Sequence, residues 1–251
     1  MALFAEAADH LGAENDPLSA TPLYFSMLIE ADRGDLPAVQ TLEQAVTDKA
    51  LRLPPRWASG LRASVHAALA FVHGDLAGGR ERLEDALKRA HPWAAMVPAL
   101  YTQLADLNLF QGLVEEAQAA ATTALTAARE TSAWEAEPPA LRTLGMIALE
   151  RSDLATARSY LRVSRARCLA LREAQEIPSI LLAVAEVAHA DRQPSAAGTL
   201  IFGARASLAR MGFQLPVPWR NRLAARDPSL LDSAPVPGLT LEGAVEAALA
   251  V

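Results

Sequence analysis

The sequence predicts an all-helical protein, a stack of about five helix-turn-helix repeats. Three observations carry that expectation. Alanine and leucine dominate and aromatics make up only 5% of the chain. Small and apolar residues recur at a step of 40 through its middle. Turn-forming residues fall between apolar-periodic segments. Such a mixture favours close helix packing, because few of the aromatic and β-branched residues that suit strands are present. Apolar residues at 51% and charged residues at 21% argue against disorder. A chain of 251 residues can bury a substantial core.

The clearest repeat markers are Pro98, Pro138 and Pro178, each 40 residues after the last. Proline suits the first turn of a helix, where its missing N–H costs nothing. Five further columns keep the same step. Leu104, Leu144 and Val184 are apolar; Ala105, Gly145 and Ala185 are small; Ala117, Ala157 and Ala197 are identical. Ala121, Leu161 and Ile201 are apolar, and Ala124, Ser164 and Ala204 are small. Breaks at Gln111-Gly112, Arg151-Ser152-Asp153 and Asp191-Arg192-Gln193 separate two apolar-periodic segments in each copy. The unit is a helical hairpin. Small residues let its backbones approach, and larger aliphatic ones fill the space between hairpins.

Earlier segments follow with more drift. Residues 1–16 hold a leading helix, Leu3–Leu11, as an N-terminal cap. Gly34-Asp35-Leu36 and Gly74-Asp75-Leu76 are turns, the second followed by Gly79, Leu83 and Ala86. Asp35, Asp75 and Asp153 cap the helices that follow them. The hairpins are thus expected over 17–212. Residues 213–251 are expected as proline-rich loops with two short capping helices, one around Trp219–Ala225 and one over Leu241–Leu249 capped by Thr240.

Leu144-Gly145 on the first helix, a turn, then Ala157, Leu161 and a small residue at 164 resemble the tetratricopeptide (TPR) pattern over roughly residues 20–210. The family's period is 34, against about 40 here. Its large aromatic near the start of the first helix is matched by Tyr101 and replaced by Leu141 and Leu181. The resemblance implies an all-α, right-handed TPR-like α-solenoid with a loop-rich C-terminal helical cap. It also implies a ligand-binding inner face formed by the first helices.

The tail resembles a second pattern. Phe202-Gly203-Ala204-Arg205, Leu208-Ala209-Arg210-Met211-Gly212, a proline-rich loop and Leu239-Thr240-Leu241-Glu242-Gly243-Ala244-Val245 are similar to the C-terminal end of large LuxR-family and related ATPase-containing bacterial regulators. That resemblance implies a protein-interaction or effector-sensing role beside nucleotide- and DNA-binding modules. No Gly-x-x-x-x-Gly-Lys-Ser/Thr phosphate loop and no helix-turn-helix with a basic recognition helix occurs here. The sensor part alone is expected.

No catalytic constellation stands out, and neither a metal nor a cofactor is expected. Of the five histidines, His66 falls on the repeat's apolar position and His73 precedes a turn, where a cation suits a helix C-terminus. Cys168, the sole cysteine, excludes an internal disulfide. It lies on the apolar stripe as a buried thiol despite Arg165, Arg167 and Arg172 nearby. No Gly-x-Ser-x-Gly elbow is present. Trp57, Trp93 and Trp134 are expected to pack between repeats. Met1–His10 lacks the basic start and apolar run of a signal peptide, and no apolar run reaches a membrane span, so a cytoplasmic protein is expected.

Charge is divided along the chain. The net charge of −6 argues against general nucleic-acid binding. Yet residues 140–226 hold thirteen arginines, no lysine and six acids, while the last 25 residues hold four acids and no base. Arg158, Arg162 and Arg165 form one helix stripe suited to docking an acidic partner, another copy of the chain included. The inner strip implied by the TPR resemblance carries Thr102, Arg142 and Leu182, then Asp106, Met146 and Glu186, with Glu150 and His189 nearby. Its mixture suits a protein or peptide segment, or a modest organic effector. A regulator's sensor domain, a free-standing adaptor and an enzyme built on a helical repeat are the three readings, in that order.

Overall fold

In a computed structural model, residues 36–51, 55–89 and 96–250 are described, with Met27 and Glu30 besides. The leading helix Leu3–Leu11, the turn before Leu36, and Trp93 lie outside the described residues, as does the side chain of Trp57. All regular structure among the described residues is helical. The main helices are α1 (Leu36–Leu51), α2 (Pro55–His73), α3 (Leu76–Arg89), α4 (Val97–Phe110), α5 (Val114–Thr131) and α6 (Glu137–Glu150). They continue as α7 (Leu154–Leu171), α8 (Ile177–Ala190), α9 (Pro194–Met211), α10 (Val217–Arg226) and α11 (Leu241–Leu249).

The step of 40 governs the helix ends themselves. Helices α4, α6 and α8 each have 14 residues and start 40 apart, with a proline in the first turn. Helices α5, α7 and α9 each have 18 residues and keep the same step. The ends are closed identically. Gly112, Ser152 and Arg192 take left-handed backbone conformations at the turns inside the hairpins. Ser132, Arg172 and Gly212 do so at the turns after them. Beyond each such residue, a backbone N–H reaches back to a carbonyl five residues earlier: Leu113 to Asn108, Asp153 to Ala148 and Gln193 to Ala188, all at 2.8–2.9 Å. These bonds satisfy carbonyls that a helix end would otherwise leave unpaired.

The repeat columns are the core. Ala117, Ala121, Ala157, Leu161, Ala197 and Ile201 have no exposure. Gly145 shows why that column is small: a Cβ there would lie 2.9 Å from Leu161 Cγ and 3.3 Å from the Ala157 carbonyl. Ser164 donates to the Pro138 carbonyl at 2.7 Å, tying a second helix to the start of its first. Each first helix touches its own second helix and the preceding second helix, and α2, α4 and α6 each touch the next first helix. The first helices α2, α4, α6 and α8 therefore make one continuous layer.

The C-terminal segment folds back onto the hairpins. Helix α10 runs against α2, and α11 packs on α7, α8 and α9. Thr240 caps α11 by accepting the Gly243 N–H at 3.0 Å. Trp134 departs from the expected packing: it is 44% exposed on the 3-10 turn before α6, where the small neighbours Ala133 and Ala136 take the interior positions. His66 is half-buried, not a closed core residue, and its Nε2 lies 3.4 Å from Glu43 Oε1. No helix among the described residues is long and apolar enough to cross a membrane.

Candidate functional site

The inner strip sits on α4, α6 and α8, where residues 40 apart in sequence face the same way. The structure closes this strip. Thr102, Arg142, Met146, Leu182 and Glu186 are all buried. Thr102 turns its hydroxyl onto its own helix, donating to the Pro98 carbonyl at 2.9 Å. Asp106, Glu150 and His189 of the same strip are only partly buried. The covering groups come from within the chain, in two charged networks.

The first network links α4 to α6. Arg142 grips Asp106 in bidentate fashion, Nη1 to Oδ1 at 3.2 Å and Nη2 to Oδ2 at 2.6 Å. The Thr143 hydroxyl donates to the same Oδ1 at 2.6 Å. Glu176, from the 3-10 turn before α8, brings Oε2 within 3.6 Å of Arg142 Nε. Burial opposes charge on Arg142, but Asp106 and Glu176 outweigh it and hold the guanidinium protonated. For Glu176 burial wins: its carboxyl is pushed above the usual range despite Arg142. Arg142 Nη1 also rests 3.7 Å from Met146 Sδ.

The second network holds α10 across the strip. Arg222 meets Glu186 through Nε at 2.5 Å and Nη2 at 2.9 Å, and its Nη2 also reaches Glu150 at 2.5 Å. Arg226 joins Glu150 at 2.5 Å. Arg222 lies over the Phe110 ring at 5.5 Å. Phe110 packs edge-on against Trp219 on one side and Phe71 on the other, each at 5.0 Å between ring centres. Trp219 and Leu223 are almost fully buried. His189 is half-buried beside this network and helps to hold the Asp227 carboxyl low, after the larger effect of the Ser229 hydrogen bond.

The arginine stripe on α7 is also engaged within the chain. Arg158 donates to the Ala248 carbonyl at 3.1 Å and pairs with Asp191 at 2.5 Å. Arg162 donates to the Leu249 carbonyl. Arg165 pairs with Glu242 at 2.5 Å. Cations at the last carbonyls of α11 complement its dipole, and Arg165 binds the acid of its first turn. So the acidic tail is the partner that the structure gives this stripe.

Trp219, Arg222, Leu223 and Arg226 complete this seat from outside the expected strip. Their spacing of i, i+3, i+4 and i+7 marks one helical face, and its charge complements Glu150 and Glu186. That complementarity was the available signal.

Elsewhere the chemistry is plain. Cys168 is fully buried, its thiol donates to the Glu173 carbonyl at 2.9 Å, and burial pushes its pKa up to about 11. Among the described residues no three His, Cys, Asp or Glu side chains gather as metal ligands would. Two clefts stand out. One of about 390 Å³ is lined by Tyr101, Thr122, Thr126 and Glu130. The other, about 660 Å³, lies between α9 and the C-terminal segment. No protein-family model matches the chain, and no curated protein matches it significantly.

Proposed function

We propose that the chain is a non-catalytic scaffold, a right-handed TPR-like α-solenoid of about five hairpins. In this reading it is the protein-interaction or effector-sensing domain of a bacterial transcriptional regulator, working in the cytoplasm without a cofactor. One observation carries the scaffold reading: the layer of first helices already holds a helix. Phe110, Glu150 and Glu186 receive α10 through an aromatic edge and two arginines, the way a helix-in-groove receptor holds its ligand. The regulator assignment draws support from the tail resemblance, whose Phe202 and Arg205 lie on α9 and whose Leu239–Val245 segment runs into α11, packed on that helix.

The test is cross-linking of the full chain in its native cytoplasm, followed by identification of the cross-linked peptides. A stoichiometric partner carrying an ATPase or DNA-binding module is the expected result. A partner with neither would make the chain a free-standing adaptor. Turnover of a substrate by the purified chain would overturn the scaffold reading.

A further inference from the structure

We propose that the cleft between α9 and the C-terminal segment binds a small organic carboxylate with a bulky apolar body. Three observations converge there. The cleft measures about 660 Å³, within the range of small-molecule sites. Its walls carry Phe202, Phe213, Leu215 and Leu231. Phe202 is 45% exposed, one of several large apolar groups at the surface and the one that lines this cleft. And two cations, Arg205 and Arg220, line the same space.

Those two arginines, like Arg162 and Arg210, are not held by an ion pair among the described residues. Arg142, Arg158, Arg165, Arg222 and Arg226 each pair with a carboxylate. Arg205 and Arg220 have no carboxylate in ion-pair range among the described residues. Each uses one terminal nitrogen on a wall carbonyl: Arg205 on Leu231 at 2.9 Å, Arg220 on Leu215 at 3.2 Å. Such bonds steady the side chains at the wall and leave the other guanidinium N–H groups available. A guanidinium fork recognises a carboxylate's two oxygens, and the aromatic and aliphatic walls take the remaining body.

The location gives binding a consequence. One wall is the last repeat helix, and the others are residues 213–215, Arg220 of α10, and Leu231, Ser233 and Ala234. A ligand in the cleft contacts both and clamps the C-terminal segment to the hairpins. This deepens the effector-sensing reading; the binding itself is read directly, so its failure and that of the scaffold reading are separable.

The probes are 2-naphthoate, its neutral analogue 2-naphthylmethanol, and inorganic phosphate, each titrated calorimetrically into the full chain. One saturable site for naphthoate is expected, with a Kd of about 1 mM or tighter. Arg205→Gln/Arg220→Gln should weaken it about tenfold or more. Both side chains are exposed, so the variant should keep its circular dichroism and melting curve. Bound naphthoate should also slow amide hydrogen exchange in residues 213–234. The proposal is overturned by any of three results: no saturable binding, unchanged affinity in the folded variant, or the neutral alcohol binding as tightly. Displacement of naphthoate by phosphate at equal concentration would overturn the apolar part.

Discussion

Replacing Arg222 by alanine probes the seat of α10 most directly. The Arg222 side chain is 12% exposed and its partner Glu186 only 1%. The substitution removes both bonds to Glu186, the bond to Glu150 and the contact over Phe110. Breaking a buried ion pair from one side costs about 3–5 kcal/mol, because the remaining charge stays desolvated. Here Arg226 Nε already lies 3.6 Å from Glu186 Oε2, and at 38% exposed its side chain has room to close in. The expected loss is therefore about 2–4 kcal/mol. For a chain of this size that lowers the melting temperature by roughly 5–15 °C. Urea unfolding followed by circular dichroism gives the first number, and hydrogen exchange in residues 217–226 shows where protection is lost. The double variant Arg222→Met/Glu186→Gln should recover a large part of the loss, since no lone charge is left behind. A cost under about 1 kcal/mol, with exchange in α10 unchanged, would place this pair with ordinary surface ion pairs and refute the reasoning.

The carboxylates around Arg142 should behave oppositely on neutralisation. Asp106→Asn breaks a bidentate bond to a buried guanidinium and should cost about 2–4 kcal/mol in urea unfolding at pH 7. Glu176→Gln should be neutral or stabilising there, because burial already raises that carboxyl's pKa. A larger loss for Glu176→Gln than for Asp106→Asn would reverse the assignment. Cys168 predicts a pH dependence: its folded pKa is about 11 against an ordinary value of 9.0. Its contribution is complete below pH 9 and disappears as pH rises through 11. The stability difference between the wild type and Cys168→Ala should shift between those pH values, and a constant difference would contradict it. At the turns, Arg172→Gly should stabilise by up to about 1 kcal/mol, since its φ of +59° is strained for a side chain. Gly112→Ala, at φ +79°, should cost about as much; equal melting temperatures for the two would refute the strain argument.

The hairpins were legible because their chemistry is local. Prolines at a fixed step open helices, and tight turns close them. The small column Ala105, Gly145 and Ala185 marks where backbones meet. Thr240 could be read as a cap for the same reason, since its partner N–H lies three residues on. The exposure of Trp134 was not legible, because whether a bulky residue faces in or out of a 3-10 turn depends on which neighbours fill the interior.

The repeat, the helix faces and the sign of each charged stripe follow from the order of residues alone, because helical periodicity is a property of the chain's own backbone. What covers each stripe was decided only in three dimensions. Arg142 and Arg158 look alike along the sequence, yet one is buried against Asp106 and Glu176 while the other meets Asp191 and the end of α11. The partners of Arg142 come from neighbouring hairpins, whereas Arg158 meets α11 through the path of residues 212–240, whose loops carry no period. That path sets α10 against α2 and Glu150 and lays α11 along α7, so that Glu186 and the Arg158 stripe meet groups of the same chain.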